Sequence, residues 1–173
     1  MTDIAPGPVG HLTEIAALLP MRGALLGLDP GTKTIGVASC DPDRRLATVV
    51  ETVRRTKFTA DAQRLLVLAA ERNAVGFVLG LPLNMDGTEG PRAQASRAFA
   101  RNLAKLTPLP IALWDERLST AAVERALISA DVSRAKRAAV VDQHAAAFIL
   151  QGALDFLSHR AARDSQEEAE PYL

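Results

Sequence analysis

The stretch "LLGLDPGTKTIGVASC", residues 25–40, constrains this chain more than any other. Two short apolar runs, "ALLGLD" and "IGVASC", flank the turn-forming segment "PGTKT". Runs of this length, separated by Pro and Gly, read as two strands of a hairpin. The first strand ends in a carboxylate, Asp29. A carboxylate on a central strand is costly unless it is paired, hydrogen-bonded or metal-bound. The plainer reading is a turn-forming Asp ahead of Pro-Gly. Which one holds depends on whether other acids converge on it.

The rest of the chain supplies elements for one domain. With 173 residues, it is long enough for a real core and too short for two domains of ordinary size. "RLATVVETVRR" alternates as a third strand, and "TADAQRLLVLAAERN" reads as a helix with Leu65, Leu68 and Ala69 on one face and Thr59 as N-cap. "AVGFVLGL" has the continuous apolar character of a strand buried in a parallel sheet. "PLNMDGTEG" is a loop, and Pro91 suits the first position of a helix running to about Leu106. "LPIALWDE" is another strand, "TAAVERALISA" a helix, "DVSRAKR" a basic connection and "AAVVDQHAAAFILQGALDFL" a long final helix. The expected fold is mixed α/β: a five-stranded sheet made of an antiparallel meander and two parallel strands, closed by helices. Residues 1–22 are expected as an N-terminal extension, 23–159 as the domain and 160–173 as a disordered acidic tail.

Two further acidic positions stand out. Asp115 and Glu116 end a strand, where neighbouring side chains face opposite sides of the sheet, so one of them can meet Asp29. The alternation does not say which, and a strand-end acid paired with Arg117 is the plainer account. Asp142 begins an apolar stripe: Ala145, Ala146, Ile149, Ala153 and Phe156 follow it at helical spacing. An acid at a helix start is favoured by the dipole, but the sequence from Ala138 onward already reads as helix. Carboxylates brought together raise one another's pKa unless a cation compensates. Mg²⁺ prefers such oxygen ligands, and a pair of divalent ions ~4 Å apart supports phosphodiester hydrolysis without a protein nucleophile. That suits a chain with no persuasive Ser/His/Asp or Cys/His set, whose single Cys40 reads as a core residue.

Four segments then carry a resemblance. "LLGLDPGTKTIGVA", "GLPLNMDGTEG", "DERLST" and "VVDQHAAAFILQ" closely resemble, in order and spacing, the signature segments of the bacterial YqgF/RuvX family over residues 25–157. The resemblance implies an RNase H-like fold with helices on both faces, related to the RuvC junction resolvases. It implies Asp29, Glu116 and Asp142 as the catalytic and metal-ligating acids, with Mg²⁺ or Mn²⁺ as cofactor. The implied activity is a metal-dependent nuclease processing pre-16S rRNA in ribosome biogenesis. Resolution of four-way DNA junctions and a non-catalytic RNA- or ribosome-binding module are the alternatives. "DPGTKTIG" also resembles the first phosphate loop of the actin–sugar kinase–Hsp70 superfamily, whose nucleotide sites need two such domains; this chain has one copy.

Charge and targeting agree with that reading. Net charge is zero, but residues 24–160 carry 18 basic and 14 acidic side chains, which permits a polyanionic substrate. Lys33, Arg117, Arg134 and Lys136 lie near the acids in sequence and are expected to contact phosphates. Asn84, Asp86, Thr88 and Glu89 are expected either to touch the substrate backbone or to order their loop. The expected partners are nucleic acid, RNA above structured DNA, and ribosomal precursor particles, for a monomer or homodimer. No apolar stretch approaches the ~20 residues of a membrane span, and the N-terminus lacks a basic leader. The expected location is the cytoplasm.

Overall fold

The computed structural model describes residues 3–118, 127–128 and 130–169, and for residues 138–143 the backbone alone. The helix expected over "TAAVERALISA" falls largely outside the described residues. Six strands form one sheet: β1 (Val9–His11), β2 (Ala24–Pro30), β3 (Thr34–Cys40), β4 (Ala47–Arg54), β5 (Ala74–Leu81) and β6 (Ile111–Asp115). The helices are α1 (Leu12–Ile15), α2 (Phe58–Glu71), α3 (Pro91–Ala104) and α4 (Arg134–Ala169). Strand order is β1-β6-β5-β2-β3-β4. β2, β3 and β4 are an antiparallel meander, and β5 and β6 add in parallel beside β2. Gly31 N donates to Thr34 O at 2.8 Å, so "PGTKT" does close the hairpin.

Period-two alternation divides the core. Leu26 and Leu28 of β2 face one side, with Leu65 and Leu68 of α2 and Phe99 and Leu103 of α3. Leu25 faces the other, with Val78, Ala112, Trp114 and the α4 residues Ala146, Ile149, Leu150 and Ala153. The stripe read from Asp142 onward is therefore the face α4 lays on the sheet. It lies very close at Gly27. A Cβ there would stand 2.7 Å from Leu150 Cβ and 2.9 Å from the Ala146 carbonyl oxygen, neither of which can swing away. Gly27→Ala is expected to cost about 1–3 kcal/mol by overpacking, read as a lower urea midpoint at unchanged m-value. An unchanged midpoint would mean that α4 does not press on β2.

Two expectations are corrected. The sheet has six strands rather than five, because the N-terminal segment contributes β1, parallel to β6 with Val9 opposite Ile111 and His11 opposite Leu113. Gly7 N donates to the Ala104 and Thr107 carbonyls, and Leu12 and Ile15 are buried. An exposed β6 edge is a liability, and this short strand covers it. α4 runs on past residue 160 to Ala169. Thr59 lies inside α2, whose N-cap position is Lys57. Among the described residues no helix is long and apolar enough to cross a membrane.

Candidate active site

Asp29 sits near the C-terminal end of β2, one residue past the last pairing of β2 with β5, Leu28 opposite Leu79. Its parity is that of Leu25 and Gly27, the α4 face. Its antiparallel partner is Gly36. A Cβ on Gly36 would touch Ala146 Cβ at 3.4 Å and Asp29 Cβ at 3.7 Å, so α4 passes directly beside Asp29 at Ala146. Asp142 stands in α4 one turn before Ala146; its side chain lies outside the described residues.

The two neighbouring acids part company. Asp115 closes β6 and is taken by Arg117, whose Nε and Nη2 donate to its carboxylate at 3.0 and 2.7 Å and whose backbone N–H donates at 3.0 Å. That hydrogen bonding to Arg117 outweighs burial and holds the Asp115 carboxyl below its ordinary range. Glu116 lies one residue past β6, where the chain turns helical, and its carboxylate stands over Gly80, on the side of Ile149. It lines, with Asp29, a cavity of about 140 Å³ at the C-terminal edge of the parallel strands, where open α/β sheets bind ligands. Burial pushes its carboxyl up to about 7; the Asp29 charge adds to this and Arg92 partly opposes it.

The strand between them makes the meeting possible. In strand order β5 separates β2 from β6, so a side chain from the end of β6 reaches Asp29 only across β5. At the crossing point β5 has Gly80, opposite Trp114. A Cβ on Gly80 would overlap Glu116 Oε1 and stand 2.7 Å from Ile149 Cδ1. Gly80 is thus the notch through which the glutamate passes. The sequence signal was present, since a glycine inside a strand often marks a close approach, but "AVGFVLGL" reads as plain core without its neighbours. Both displaced atoms end flexible side chains, so Gly80→Ala is expected to fold while moving the Glu116 carboxylate. A displacement near 1 Å costs about 10²-fold in rate. Steady-state turnover of a variant with native melting behaviour checks this; unchanged turnover excludes the notch.

The four residues expected to contact phosphates stand outside the lining of that cavity. Lys33 is exposed at the hairpin tip, and Arg134 and Lys136 are exposed in the first turn of α4. None of these, nor Arg117, lines the cavity. Arg117 also reaches the Asn84 and Met85 carbonyls at 3.5 and 3.3 Å, tying the loop over 82–90 to β6. Inside that loop Asn84 Nδ2 donates to Thr88 Oγ1, and Asp86 accepts from Thr88 N and Oγ1. Glu89 is held by Arg97. These residues order the loop. The basic residues that do line the cavity are Arg55, at the end of β4, and Arg92, in the first turn of α3. Their positions in sequence, distant from all three acids, gave no sign of it. Among the described residues no cluster of three His, Cys, Asp or Glu side chains is set to hold a metal ion. Asp29 and Glu116 supply two carboxylates, the hard oxygen donors that Mg²⁺ and Mn²⁺ take.

Known proteins share this arrangement of chain. The family model "RuvX: Holliday junction resolvase" matches residues 23–156. A protein of Rhodopseudomonas palustris (strain BisB5), named "Putative pre-16S rRNA nuclease", is 75% identical over 152 residues, covering 88% of this chain and 95% of its own. Proteins of the same name from Bradyrhizobium sp. (strain ORS 278) and Nitrobacter hamburgensis are each 72% identical over 153 residues. Each alignment covers 88% of this chain, and 95% and 94% of the two relatives. The solved structure "T. thermophilus RuvC in complex with Holliday junction substrate" superposes with a TM-score of 0.52 over 81% of this chain and 96% of that one, at 11% identity. That likeness is one of fold, and the fold is the RNase H-like one. With a family model through most of its length and relatives at this level of identity, the chain belongs to the RuvX family.

Proposed function

We propose that this protein is a divalent-metal-dependent endonuclease that hydrolyses phosphodiester bonds in precursor 16S rRNA. The observation that carries the reading is the pair Asp29, in β2, and Glu116, directly after the non-adjacent β6, in one cavity. The names of relatives 72–75% identical to this chain support the RNA substrate. Two carboxylates lining one cavity, with the Glu116 carboxyl raised to about 7 by burial first and the Asp29 charge second, form a site that a cation would relieve, and their donor chemistry fits Mg²⁺ or Mn²⁺.

In this proposal Asp29 and Glu116 hold the metal and Asp142 completes the ligand set. Bound there, the metal supplies the charge that activates a water and offsets charge on the leaving oxygen. The residues' own part is to stay fixed and ionised. Gly80 lets the Glu116 carboxylate cross β5, and Arg117 takes up Asp115 so that it does not compete for the same cation. The Asn84–Thr88 bond orders the loop over 82–90, whose first residue, Pro82, lines the cavity.

The family description favours a second reading, cleavage of four-way DNA junctions. Incubation with precursor 16S rRNA and with a synthetic junction, with and without Mg²⁺ or Mn²⁺, separates the two. Metal-dependent trimming of the RNA that Asp29→Asn removes is expected. Cleavage of the junction alone would replace the RNA reading, and cleavage of neither would overturn both.

A further inference from the structure

The cavity that takes Asp29 and Glu116 is also lined by Arg55, Arg92 and Ser96. Arg55 is held in place by the protein itself. Its Nη1 donates to the Gly31 carbonyl at 2.6 Å, its Nε lies 3.9 Å from the Asp61 carboxylate, and its guanidinium carbon stands 5.6 Å from the Phe99 ring centre. Asp61 is 3% exposed and also accepts from the Thr56 N–H and hydroxyl, so the clamp is itself anchored. A guanidinium offers five donors in a rigid plane. Nη2 of Arg55 donates to no described residue. The side chain is 31% exposed, so that edge of the plane is open to a ligand.

Ser96 is the second observation. It sits on the buried face of α3 among Ala93, Phe99 and Ala100, and is 5% exposed. Its hydroxyl makes no hydrogen bond to a described residue, and since no fully buried side-chain oxygen among them lacks a partner, this oxygen is open to the cavity. A helical serine ordinarily returns its proton to the carbonyl four residues back, as Ser165 does to Ala161. Alanine would pack this place as well, so what the serine adds is a hydroxyl at the cavity wall. A lone donor on a core face, opening onto a cavity with two guanidinium groups, is placed for an acceptor from outside.

The geometry points to an anion seat in which Arg55, Arg92 and the Ser96 hydroxyl take the non-bridging oxygens of the phosphate adjoining the one that is cut. Fixed planar guanidinium groups match two such oxygens at once. The nearby Asp29 and Glu116 carboxylates repel a free anion. The seat therefore selects a phosphate delivered as part of a polymer whose other contacts hold it there. This rests on the nuclease reading, and it gives that reading a register: the chain crosses from the acids toward β4 and α3.

The test is binding, with cleavage read separately. Precursor 16S rRNA fragments are made with one methylphosphonate at each linkage in turn around the cleavage site, which removes one non-bridging charge. Binding is measured in the Asp29→Asn background, for that protein and with Arg55→Gln, Arg92→Gln or Ser96→Ala added. One adjoining linkage is expected to lose about tenfold in affinity on methylation. The same linkage is expected to lose little in Arg55→Gln, because the partner is already gone. Arg55→Gln is also expected to reduce the salt slope of binding by about 0.7, one phosphate contact on a single strand. Ser96→Ala, which leaves the Asp61 clamp untouched, gives the same loss of coupling with native melting behaviour and so separates the seat from the fold. Equal methylation penalties in all four proteins, with wild-type protein still cutting the RNA, overturn the seat alone. Wild-type protein that neither binds nor cuts the RNA overturns the seat together with the nuclease reading.

Discussion

Asp29→Asn is expected to lower metal-dependent cleavage by about 10³-fold or more while the protein stays folded. The amide keeps the shape of the carboxylate and removes its charge. Withdrawing one charged ligand from a site that stabilises developing charge forfeits several kcal/mol, and each 1.36 kcal/mol is tenfold in rate. The fold should persist. Asp29 is only half-buried, and its charge is, after desolvation, the largest cause that raises the Glu116 carboxyl. Removing that charge relieves the repulsion of Glu116, and the metal-free variant is expected to keep a cooperative melt. Cleavage assays over a Mg²⁺ series, with circular-dichroism melts of the same preparations, check both halves. Undiminished cleavage by the purified variant would falsify the assignment of Asp29 as a metal ligand.

Glu116→Gln carries the second large effect, and its signature is a pH dependence. The folded-state carboxyl is raised to about 7 from an ordinary 4.5, by desolvation first and by Asp29 second. A raised pKa means that the folded protein binds the proton more tightly than the unfolded chain. Stability from this group is full below about 4.5, declines as pH rises toward 7, and is lost above it. At 1.36 kcal/mol per pKa unit the span is on the order of 3 kcal/mol. Metal-free wild-type protein is therefore expected to lose stability across that window, and Glu116→Gln to show no such decline. Above pH 7 the variant should be the more stable of the two and inactive. Divalent metal should restore wild-type stability at alkaline pH and leave the variant unchanged. In the wild type, metal affinity should climb with pH up to about 7 and level off beyond it, because the carboxyl must ionise to bind. Coincident pH–stability curves for the two proteins would remove the buried-carboxylate account.

The fold was largely legible. Leu25, Leu26 and Leu28, then Ile35 and Val37, have the short apolar periodicity of paired strands, and the Pro-Gly turn between them dictates a hairpin. The stripe from Ala145 to Phe156 has the spacing of one helix face, and Pro91 marks a helix start. β1 was not legible, because a strand as short as "VGH" shows no period. Its place comes from an open edge on β6 a hundred residues away. The end of α4 was hidden for a related reason. "AARDSQEEA" is able to form helix but has no apolar stripe, and composition alone reads it as tail.

The candidate site divides the same way. Local pattern marked Asp29 as an odd carboxylate and put Asp115 and Glu116 on opposite faces of the sheet. Sequence alone therefore determined five of the six strands, the main helices and the short set of acids from which a site is built. Only the tertiary structure decided that Glu116 meets Asp29 while Asp115 is taken by Arg117, and that Arg55, Arg92 and Ser96 share their cavity. The reason is physical. Strand and helix signals are periodic and short-range, so they survive in the sequence. The meeting of β2 with β6 depends on strand order and on a side chain missing from Gly80 of the intervening strand, which no local pattern records.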